Sequence, residues 1–233
     1  MENKYPAHNA RTVDIEDDSS DIRIIRLEIE NKTRLSFRPG QYVFLEVPGL
    51  EGRAFSIAST PDEQHLEFHV RNSGHGISAH ITGDLHLGDA LLVKGPFGKN
   101  TWQESDRPVL ALAGGLGIAP VKSIIQAGLR SRQASPIHLY WGVRDENHLY
   151  LDPFFRDLTQ KNKRFSYIPV LQENTSGRFR QGLIHEPVLE DFDDLEGHDI
   201  YMAGPMGMID AMIPQLLNHG AEKDRIFCDT FSL

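Results

Sequence analysis

The chain has 233 residues, enough for one large domain or for two domains of about 100 to 130 residues each. Hydrophobic residues make up 39% of the sequence and charged residues 24%, which is ordinary for a globular protein. The formal net charge of -9 argues against non-specific binding to nucleic acid or anionic lipid. No apolar run approaches the roughly 18 residues of a membrane span, so we predict none.

Cysteine and histidine usage limits the chemistry further. Cys228 is the only cysteine, which excludes an internal disulfide and an iron–sulfur site with cysteine ligands alone. Five histidines lie between His65 and His86, but they do not have the spacing of a metal site, so we predict no metal. The first ten residues lack the apolar core of a signal peptide. We therefore expect a cytoplasmic protein.

Short stretches in the first hundred residues alternate between apolar and polar residues, which is typical of strands with one solvated face. In one of them, Glu67 and His69 fall on the polar side and are expected to face solvent. The predicted strands are Ile22–Glu30, Tyr42–Val47, Ser56–Ser59, Leu66–Arg71 and Ala90–Val93. No helical pattern longer than about two turns separates them, so we predict a small antiparallel barrel.

Two stretches of this barrel have side chains suited to a cofactor. Arg53–Ser56 offers a guanidinium for phosphate, an aromatic ring for a flat cofactor and a hydroxyl for a ring nitrogen. His69–Ser78 combines Arg71, bare glycine backbone and a short helix predicted over 79–81, which Ser78 would open, and so could bind an anion. The alternatives are a surface arginine beside a core phenylalanine, and a simple capped hairpin loop.

Strands and helices alternate in the second half, which predicts a parallel sheet covered on both faces. The predicted strands are Val109–Ala113, Ile137–Gly142, Phe165–Leu171 and Asp199–Ala203. The predicted helices have Pro120 in the first turn, cover Asp152–Lys161, lie near Leu183–Leu189 and follow Gly204–Pro205. The carboxyl ends of the strands are rich in glycine, and we expect them to converge on one ligand-binding crevice.

The glycine-rich turn after the first of these strands, Gly114–Gly117, leads directly into a helix. Free N–H groups and the positive end of the helix dipole would make this turn a phosphate site. The match to the dinucleotide fingerprint G-x-G-x-x-G is incomplete, because Pro120 stands at the last glycine. A plain turn between strand and helix is the alternative. On the helix itself, Lys122 and Ser123 are expected on the polar face.

Taken together, five motifs resemble those of the ferredoxin–NADP reductase superfamily in order and spacing, over nearly the whole chain. They are Arg53–Ser56, His69–Ser78, Gly95–Gly98, Gly114–Pro120 and Ala203–Met206. Other stretches are similar to those of bacterial NAD(P)H:flavin oxidoreductases, while the Gly74–Ser78 loop points to oxygenase-type ferredoxin reductases as the other near group. The stretches similar to flavin oxidoreductases are Ser59–Glu63, Tyr140–Arg144, His148–Tyr150 and Phe227–Phe231.

The resemblance implies two domains. An antiparallel β-barrel FAD-binding domain would cover residues 1–103, and an α/β parallel-sheet, Rossmann-like NAD(P)-binding domain would cover residues 104–233, with hydride transfer where they meet. The residues implied to bind FAD are Arg53, Ala54, Phe55, Ser56, His69, Val70, Arg71, Gly76, Ile77 and Ser78. Those implied to bind NADH or NADPH are Gly114, Gly115, Gly117, Ile118, Pro120, Ala203, Gly204 and Pro205.

The implied catalytic residues are Ser56, near flavin N5, and Phe231, close to the flavin. Arg144 and Arg180 are candidates for a 2′-phosphate, with Asp145 and Glu146 the acidic alternative for a free 2′-hydroxyl, so the choice between NADH and NADPH stays open. Three departures from the family pattern occur. They are Phe55 in place of tyrosine, Ala203 in place of cysteine, and a Gly74–Ser78 loop one residue longer than usual.

The resemblance implies an NAD(P)H-dependent flavin oxidoreductase that transfers hydride to FAD and passes the electrons to free flavin or another acceptor. FMN or riboflavin would serve as substrates. The first alternative is an FAD-containing reductase component that serves a separate ferredoxin or oxygenase. The second, from another class, is a non-catalytic FAD-binding regulatory subunit. The presence of the Gly74–Ser78 loop favours retained FAD and hence the first alternative.

Overall fold

The structure is a computed structural model that describes residues 6–18, 21–32, 34–132 and 135–231, without the side chains of residues 32, 230 and 231. The chain divides into two compact units. The first contains the residues up to Trp102 together with Lys122–Ile124. The second contains Gln103–Val121 and the residues from Ile125 onward.

The first unit is built on a six-stranded antiparallel sheet. Its strands are β1 (Ala7–Asp17), β2 (Ile22–Ile29), β3 (Tyr42–Glu46), β4 (Arg53–Ser56), β5 (Leu66–Arg71) and β6 (Ala90–Phe97), in the spatial order β4-β3-β6-β1-β2-β5. The N–H of Ala58 donates to the carbonyl of Glu67 at 2.9 Å, so the chain just after β4 bonds to β5. The sheet therefore curls into a nearly closed barrel, which confirms the predicted fold class for this part.

Alternating side chains of these strands fill the barrel. Ile25, Leu27, Val43, Leu45 and Phe68 are all fully buried, as the period of two requires. One helix, α1 (Gly76–Gly83), follows β5. The sequence pattern missed β1, because most of its residues are polar or small. It also placed the fourth strand three residues late, whereas pairing with β3 starts it at Arg53.

The predicted solvated face of β5 is wrong. Glu67 and His69 are each only 5% exposed. Glu67 Oε1 accepts from Lys122 Nζ at 2.5 Å and lies 3.0 Å from His69 Nε2, while its Oε2 accepts from Arg26 Nε at 2.9 Å. The same first unit also buries Lys122 and Ser123, against the prediction. A carboxylate with this many partners can be buried without an unpaired charge.

The electrostatics of this cluster follow from burial and pairing. Burial opposes ionisation of Glu67, but the hydrogen bond with His69 and the charge of Lys122 outweigh it and hold the pKa of the carboxyl well below its usual range. Burial lowers the pKa of His69 below 6.5, although Glu67 acts in the opposite sense. We therefore describe the cluster as an ionised Glu67 with a neutral His69 at neutral pH.

The second unit is built on a parallel sheet, as predicted, and this sheet has six strands. Its strands are β7 (Val109–Gly114), β8 (Ile137–Val143), β9 (Phe165–Leu171), β10 (Arg180–Gln181), β11 (Asp199–Pro205) and β12 (Ile226–Phe231), in the order β10-β9-β8-β7-β11-β12. The helices are α2 (Ile118–Arg130), α3 (Asp152–Lys161), α4 (His185–Asp191) and α5 (Met206–Asn218). The two edge strands, β10 and β12, are not predicted from the sequence. β10 is only two residues long, and Asp229 interrupts the run of apolar residues in β12.

The core strands of this sheet are apolar on both faces because helices cover them. Every residue of β7 is buried, and Leu112 and Met202 of neighbouring strands lie in one cluster with Ile209 and Met212 of α5.

In the described ranges no helix has the length and apolar character needed to cross a membrane. Nor do these ranges contain a group of three or more side chains arranged to hold a metal ion.

Candidate nucleotide-binding sites

In the first unit, the loop after β5 turns into α1 earlier than expected. Gly74 and Gly76 have φ angles of +76° and +60°, a backbone conformation that glycine adopts without strain. The helix consequently starts at Gly76, and its N-cap position is His75, whose side chain makes no capping bond. Ser78 therefore lies in the first turn and does not open the helix, which corrects the prediction.

The first turn of α1 carries no acidic residue, and Arg53 of β4 approaches it. Arg53 Nη1 donates to Ser78 Oγ at 3.4 Å. No ion pair of Arg53 is found among the described residues. An unpaired guanidinium beside uncapped helix N–H groups is suited to an anion, because both the charge and the helix dipole favour one. The structure thus brings together two predicted FAD-binding residues and fits a phosphate group there.

Arg71 gives a second indication of an anion site. Its Nε lies 3.5 Å from Asp21 Oδ1 but is buried and has no hydrogen-bond partner in the part of the chain that the structure describes. A buried donor without an acceptor costs free energy that a bound anion would recover. Arg71 is therefore consistent with the pyrophosphate role that the resemblance implies.

Other predicted FAD residues face elsewhere. His69, Val70 and Ile77 are buried, and Val70 and Ile77 lie in the barrel core, so their side chains are not available to a cofactor. Phe55 is half-buried and packs against that core, whereas Ala54 is exposed.

The two predicted catalytic residues lie on strands. Ser56 is half-buried at the end of β4, opposite Tyr42 of β3. Phe231 is the last residue of β12, where its backbone pairs with Pro205, and its side chain lies outside the described part of the chain. Their catalytic roles stay predictions.

In the second unit, the glycine loop joins β7 to α2. A 3₁₀ turn covers Gly115–Gly117, and α2 then begins at Ile118 without a side-chain cap or an acidic residue in its first turn. Gly115 has a φ of +53°, and the space where its Cβ would lie is open. This loop presents bare backbone at a helix N-terminus, which fits a pyrophosphate. Ile118 and Pro120, which follow the loop at the start of α2, are buried.

The end of β11 packs directly on this loop. A Cβ added at Gly117 would clash with the carbonyl oxygen of Ala203, and one added at Gly204 would lie 3.1 Å from the backbone nitrogen of Gly114. Glycine is required here because the two backbones touch. The structure therefore brings the predicted loop residues together with the predicted Ala203–Pro205 segment, at the carboxyl edge of the sheet.

Several residues that matter to these sites were not predicted from the sequence. Trp141 of β8 donates from Nε1 to the carbonyl of Gly115 at 3.0 Å and so fixes the glycine loop. Glu173, just past β9, accepts from Arg144 Nε at 3.0 Å. For Trp141, the only signal in the sequence was its position one residue before a glycine at a strand end. For Glu173 the sequence contains no signal. The ion pair of Glu67 with Lys122 had none, because 54 residues separate the partners in the chain.

Comparisons with known proteins agree with this geometry. Residues 9–102 match the profile of the oxidoreductase FAD-binding domain, and residues 111–213 match that of the oxidoreductase NAD-binding domain. The NAD(P)H-flavin reductase of Aliivibrio fischeri is 31% identical over 217 residues, which cover 89% of this chain and 92% of that relative. This chain belongs to the ferredoxin–NADP reductase superfamily. The resemblance inferred from its motifs is thereby confirmed.

Two further proteins are similar to this chain. The CDP-6-deoxy-L-threo-D-glycero-4-hexulose-3-dehydrase reductase of Yersinia pestis is 32% identical over 214 residues, or 91% of this chain, and the chain spans only 64% of that relative's length. The crystal structure of an Amycolatopsis cytochrome P450 reductase superposes with a TM-score of 0.91 at 28% identity, covering 99% of this chain and 72% of that one. The chain thus has an FAD-binding domain and an NAD-binding domain.

Proposed function

We propose that this protein is an NAD(P)H-dependent flavin oxidoreductase. A bound FAD would supply the chemistry by accepting a hydride from the nicotinamide. The observation that carries the proposal is the unpaired Arg53 guanidinium, 3.4 Å from Ser78 Oγ in the first turn of α1, in a domain of the FAD-binding family. FMN and riboflavin are further substrates in this proposal, and a cytoplasmic location is part of it.

The chain's own residues would bind and align the reactants. Arg53, Arg71 and the N-terminal turn of α1 would hold the FAD phosphates, in a domain that we assign to residues 1–103. The backbone of Gly114–Gly117 would hold the NAD(P)H pyrophosphate, in a domain of residues 104–233. Ser56 would donate a hydrogen bond near flavin N5. Hydride transfer needs alignment more than acid–base catalysis, so the proposal assigns no general base.

A second candidate is an FAD-containing reductase component for a separate ferredoxin or oxygenase. The anion site formed by Arg53 and α1 supports this candidate, because retained FAD is what a carrier of electrons to another protein needs. Two of the similar proteins bear names that tie them to another enzyme, a dehydrase and a cytochrome P450. These two proteins and the flavin reductase of Aliivibrio fischeri are all named as reductases. They therefore favour both catalytic candidates over a non-catalytic regulatory subunit.

The test is the visible spectrum of the purified, extensively dialysed protein, followed by anaerobic addition of NADH or NADPH. A flavin band that bleaches supports the proposal and favours the second candidate. A colourless protein that oxidises NAD(P)H only with added flavin supports a reductase using flavin as substrate. A flavin band that neither nucleotide bleaches contradicts the proposal.

A matched pair of variants tests the anion site. Arg53→Ala removes the unpaired guanidinium and should weaken FAD binding by about ten-fold or more, because hydrogen bonds to charged groups are strong. Arg11→Ala removes an exposed guanidinium that pairs with Glu30 at 3.2 Å and should leave FAD binding unchanged. Fluorescence titration of the apoprotein with FAD measures both. Equal affinity in the two variants would contradict the assignment of Arg53.

A further inference from the structure

The Glu173 carboxylate lies at the carboxyl edge of the parallel sheet, just past β9. β9 is the neighbour of β8, the strand that follows the glycine loop in the chain. The N–H of Gln172 donates to Val143 O at 3.1 Å and that of Glu173 to Arg144 O at 2.7 Å, so the pairing of β8 with β9 continues past both strands. This brings the two charged side chains together, with Arg144 Nε 3.0 Å from Glu173 Oε1. The Glu173 side chain is 57% exposed and accessible to a ligand.

The other two arginines near this edge are also paired with carboxylates. Arg178 Nη2 lies 2.7 Å from Glu146 Oε2, and Arg180 Nη1 lies 2.8 Å from Glu190 Oε2. The Arg180 guanidinium also bonds to Asp191. Within the described loops 144–148 and 172–181, every arginine therefore has an acidic partner. This compensates the charge of Arg180, one of the two residues expected to bind a 2′-phosphate.

The local charge is negative overall. With Asp145, which pairs with His148 at 2.9 Å, five carboxylates surround three guanidinium groups. These pairs are partly exposed, so a phosphate could draw an arginine away from its partner. Doing so would leave a carboxylate unpaired beside the phosphate, and like charges at that distance repel. A dianionic 2′-phosphate is therefore disfavoured at this edge.

The cavity next to this edge has the same balance of charge. It has a volume of about 520 Å³ and is lined by Glu146, Leu149, Asp152, Pro153, Arg156, Arg178 and Phe179. Arg156 Nε pairs with Asp152 Oδ2 at 2.6 Å, and Arg178 pairs with Glu146 as above. Both guanidinium groups in its lining are thus compensated. Among its described residues, the cavity therefore has no unpaired cation that could bind a further phosphate group of the nucleotide.

We infer that the nucleotide site of this protein selects NADH over NADPH and that Glu173 is the residue that discriminates between them. The inference rests on the proposed function. The Glu173 carboxylate can accept a hydrogen bond from a ribose 2′-hydroxyl and repels a 2′-phosphate, as acidic residues do in dinucleotide-binding sheets. Arg144 is a positioning residue that holds Glu173 at the strand end.

The test compares kcat/KM for NADH and NADPH, with FAD as acceptor, in the wild-type protein and in Glu173→Gln and Glu173→Arg. We expect the wild type to prefer NADH by about ten-fold or more, Glu173→Gln to lower that ratio by about ten-fold, and Glu173→Arg to favour NADPH. The control is Glu196→Gln, which makes the same charge change in the loop before β11, at the opposite edge of the sheet, and should leave the ratio unchanged.

Isothermal titration calorimetry with NAD⁺ and NADP⁺ supplies a readout that does not need turnover, and circular dichroism checks that each variant is folded. A wild type that uses both nucleotides equally, or a ratio that Glu173→Gln does not move, overturns the inference and leaves the proposed function intact. If flavin reduction is absent but NAD⁺ binds more tightly than NADP⁺ and Glu173→Gln narrows that difference, the proposed function fails while the nucleotide selectivity assigned to Glu173 stands. Absence of binding of both nucleotides overturns the two together.

Discussion

The indole N–H of Trp141 donates to the carbonyl oxygen of Gly115 at 3.0 Å, from a side chain that is fully buried. Trp141 is held in turn by edge-on contacts with the rings of Tyr150 and Phe155. The glycine loop therefore gains a fixed anchor on the neighbouring strand, although its own backbone has to stay bare.

Trp141→Phe should loosen this loop. The substitution keeps an aromatic ring but removes the donor, which costs about 0.5–1.5 kcal/mol of stability for a hydrogen bond of this kind. We expect KM for the nicotinamide nucleotide to rise several-fold while KM for flavin stays the same. Steady-state kinetics with each substrate varied in turn measures both constants. A rise in the flavin KM alone would contradict the role given to Trp141.

Gly117→Ala should be damaging for a steric reason. The added methyl group would clash with the carbonyl oxygen of Ala203, and backbone on both sides has to move. We expect a large loss of thermal stability together with weaker nucleotide binding, measured by calorimetry and differential scanning fluorimetry. The matched control is Gly207→Ala in α5, where a Cβ meets nothing within 4 Å and helix propensity favours alanine by about 1 kcal/mol. Similar losses in both variants would refute the steric account.

The buried pair of Glu67 and Lys122 predicts non-additive mutations. Lys122→Met removes the ammonium that lies 2.5 Å from Glu67 Oε1 and leaves a buried carboxylate undercompensated, which costs about 3–5 kcal/mol when a buried pair is broken. Adding Glu67→Gln removes the uncompensated charge, so the double variant should be more stable than Lys122→Met alone. Urea denaturation of the wild type, both single variants and the double variant measures the coupling. Strict additivity would show that the pair contributes nothing specific.

Acidification should destabilise the protein in part through His69. Burial lowers the pKa of His69 from its ordinary 6.5, so the unfolded state takes up a proton first as the pH falls. The stability due to His69 is therefore present above about pH 6.5 and is lost as the pH falls toward the folded pKa. Glu67 acts in the same sense at lower pH, since its folded pKa is also lowered.

We expect the melting temperature to fall between about pH 7.5 and about pH 5.5. His69→Gln keeps a donor for Glu67 but cannot titrate, so it should show a shallower dependence. Some dependence should persist, because burial also lowers the pKa of His138. Differential scanning calorimetry at several pH values measures the slope. An unchanged slope in His69→Gln would assign the effect to other groups.

The sequence predicted most of the second unit well, for a physical reason. Its four central strands are mostly apolar and its helices are amphipathic, so α3 and β9 begin and end where their periodicity predicts. Strands at a sheet edge do not need that pattern. β10 and β12 were therefore missed. β1 is not an edge strand, but it was also missed, because its pairing with two neighbours in the barrel compensates for its weak apolar content.

The error at β5 had a different cause. Alternation of apolar and polar residues indicates a solvated face only when the polar side chains have no buried partner. Here Glu67 and His69 meet Lys122, which is far away in the sequence, and the three together tolerate burial. Local patterns contain no information about such a partner. The same limit applies to Glu173, whose contact with Arg144 depends on how two strands line up.

The position of β1 affects how the barrel forms during synthesis. β1 lies between β2 and β6, and its first residue, Ala7, pairs with Lys94. A nascent chain that has emerged only as far as β5 therefore has β1 paired on one side alone, with its other edge open to water and to other chains. Barrel closure is a long-range event that must follow the emergence of β6, and until then the open edge of β1 can pair with other chains.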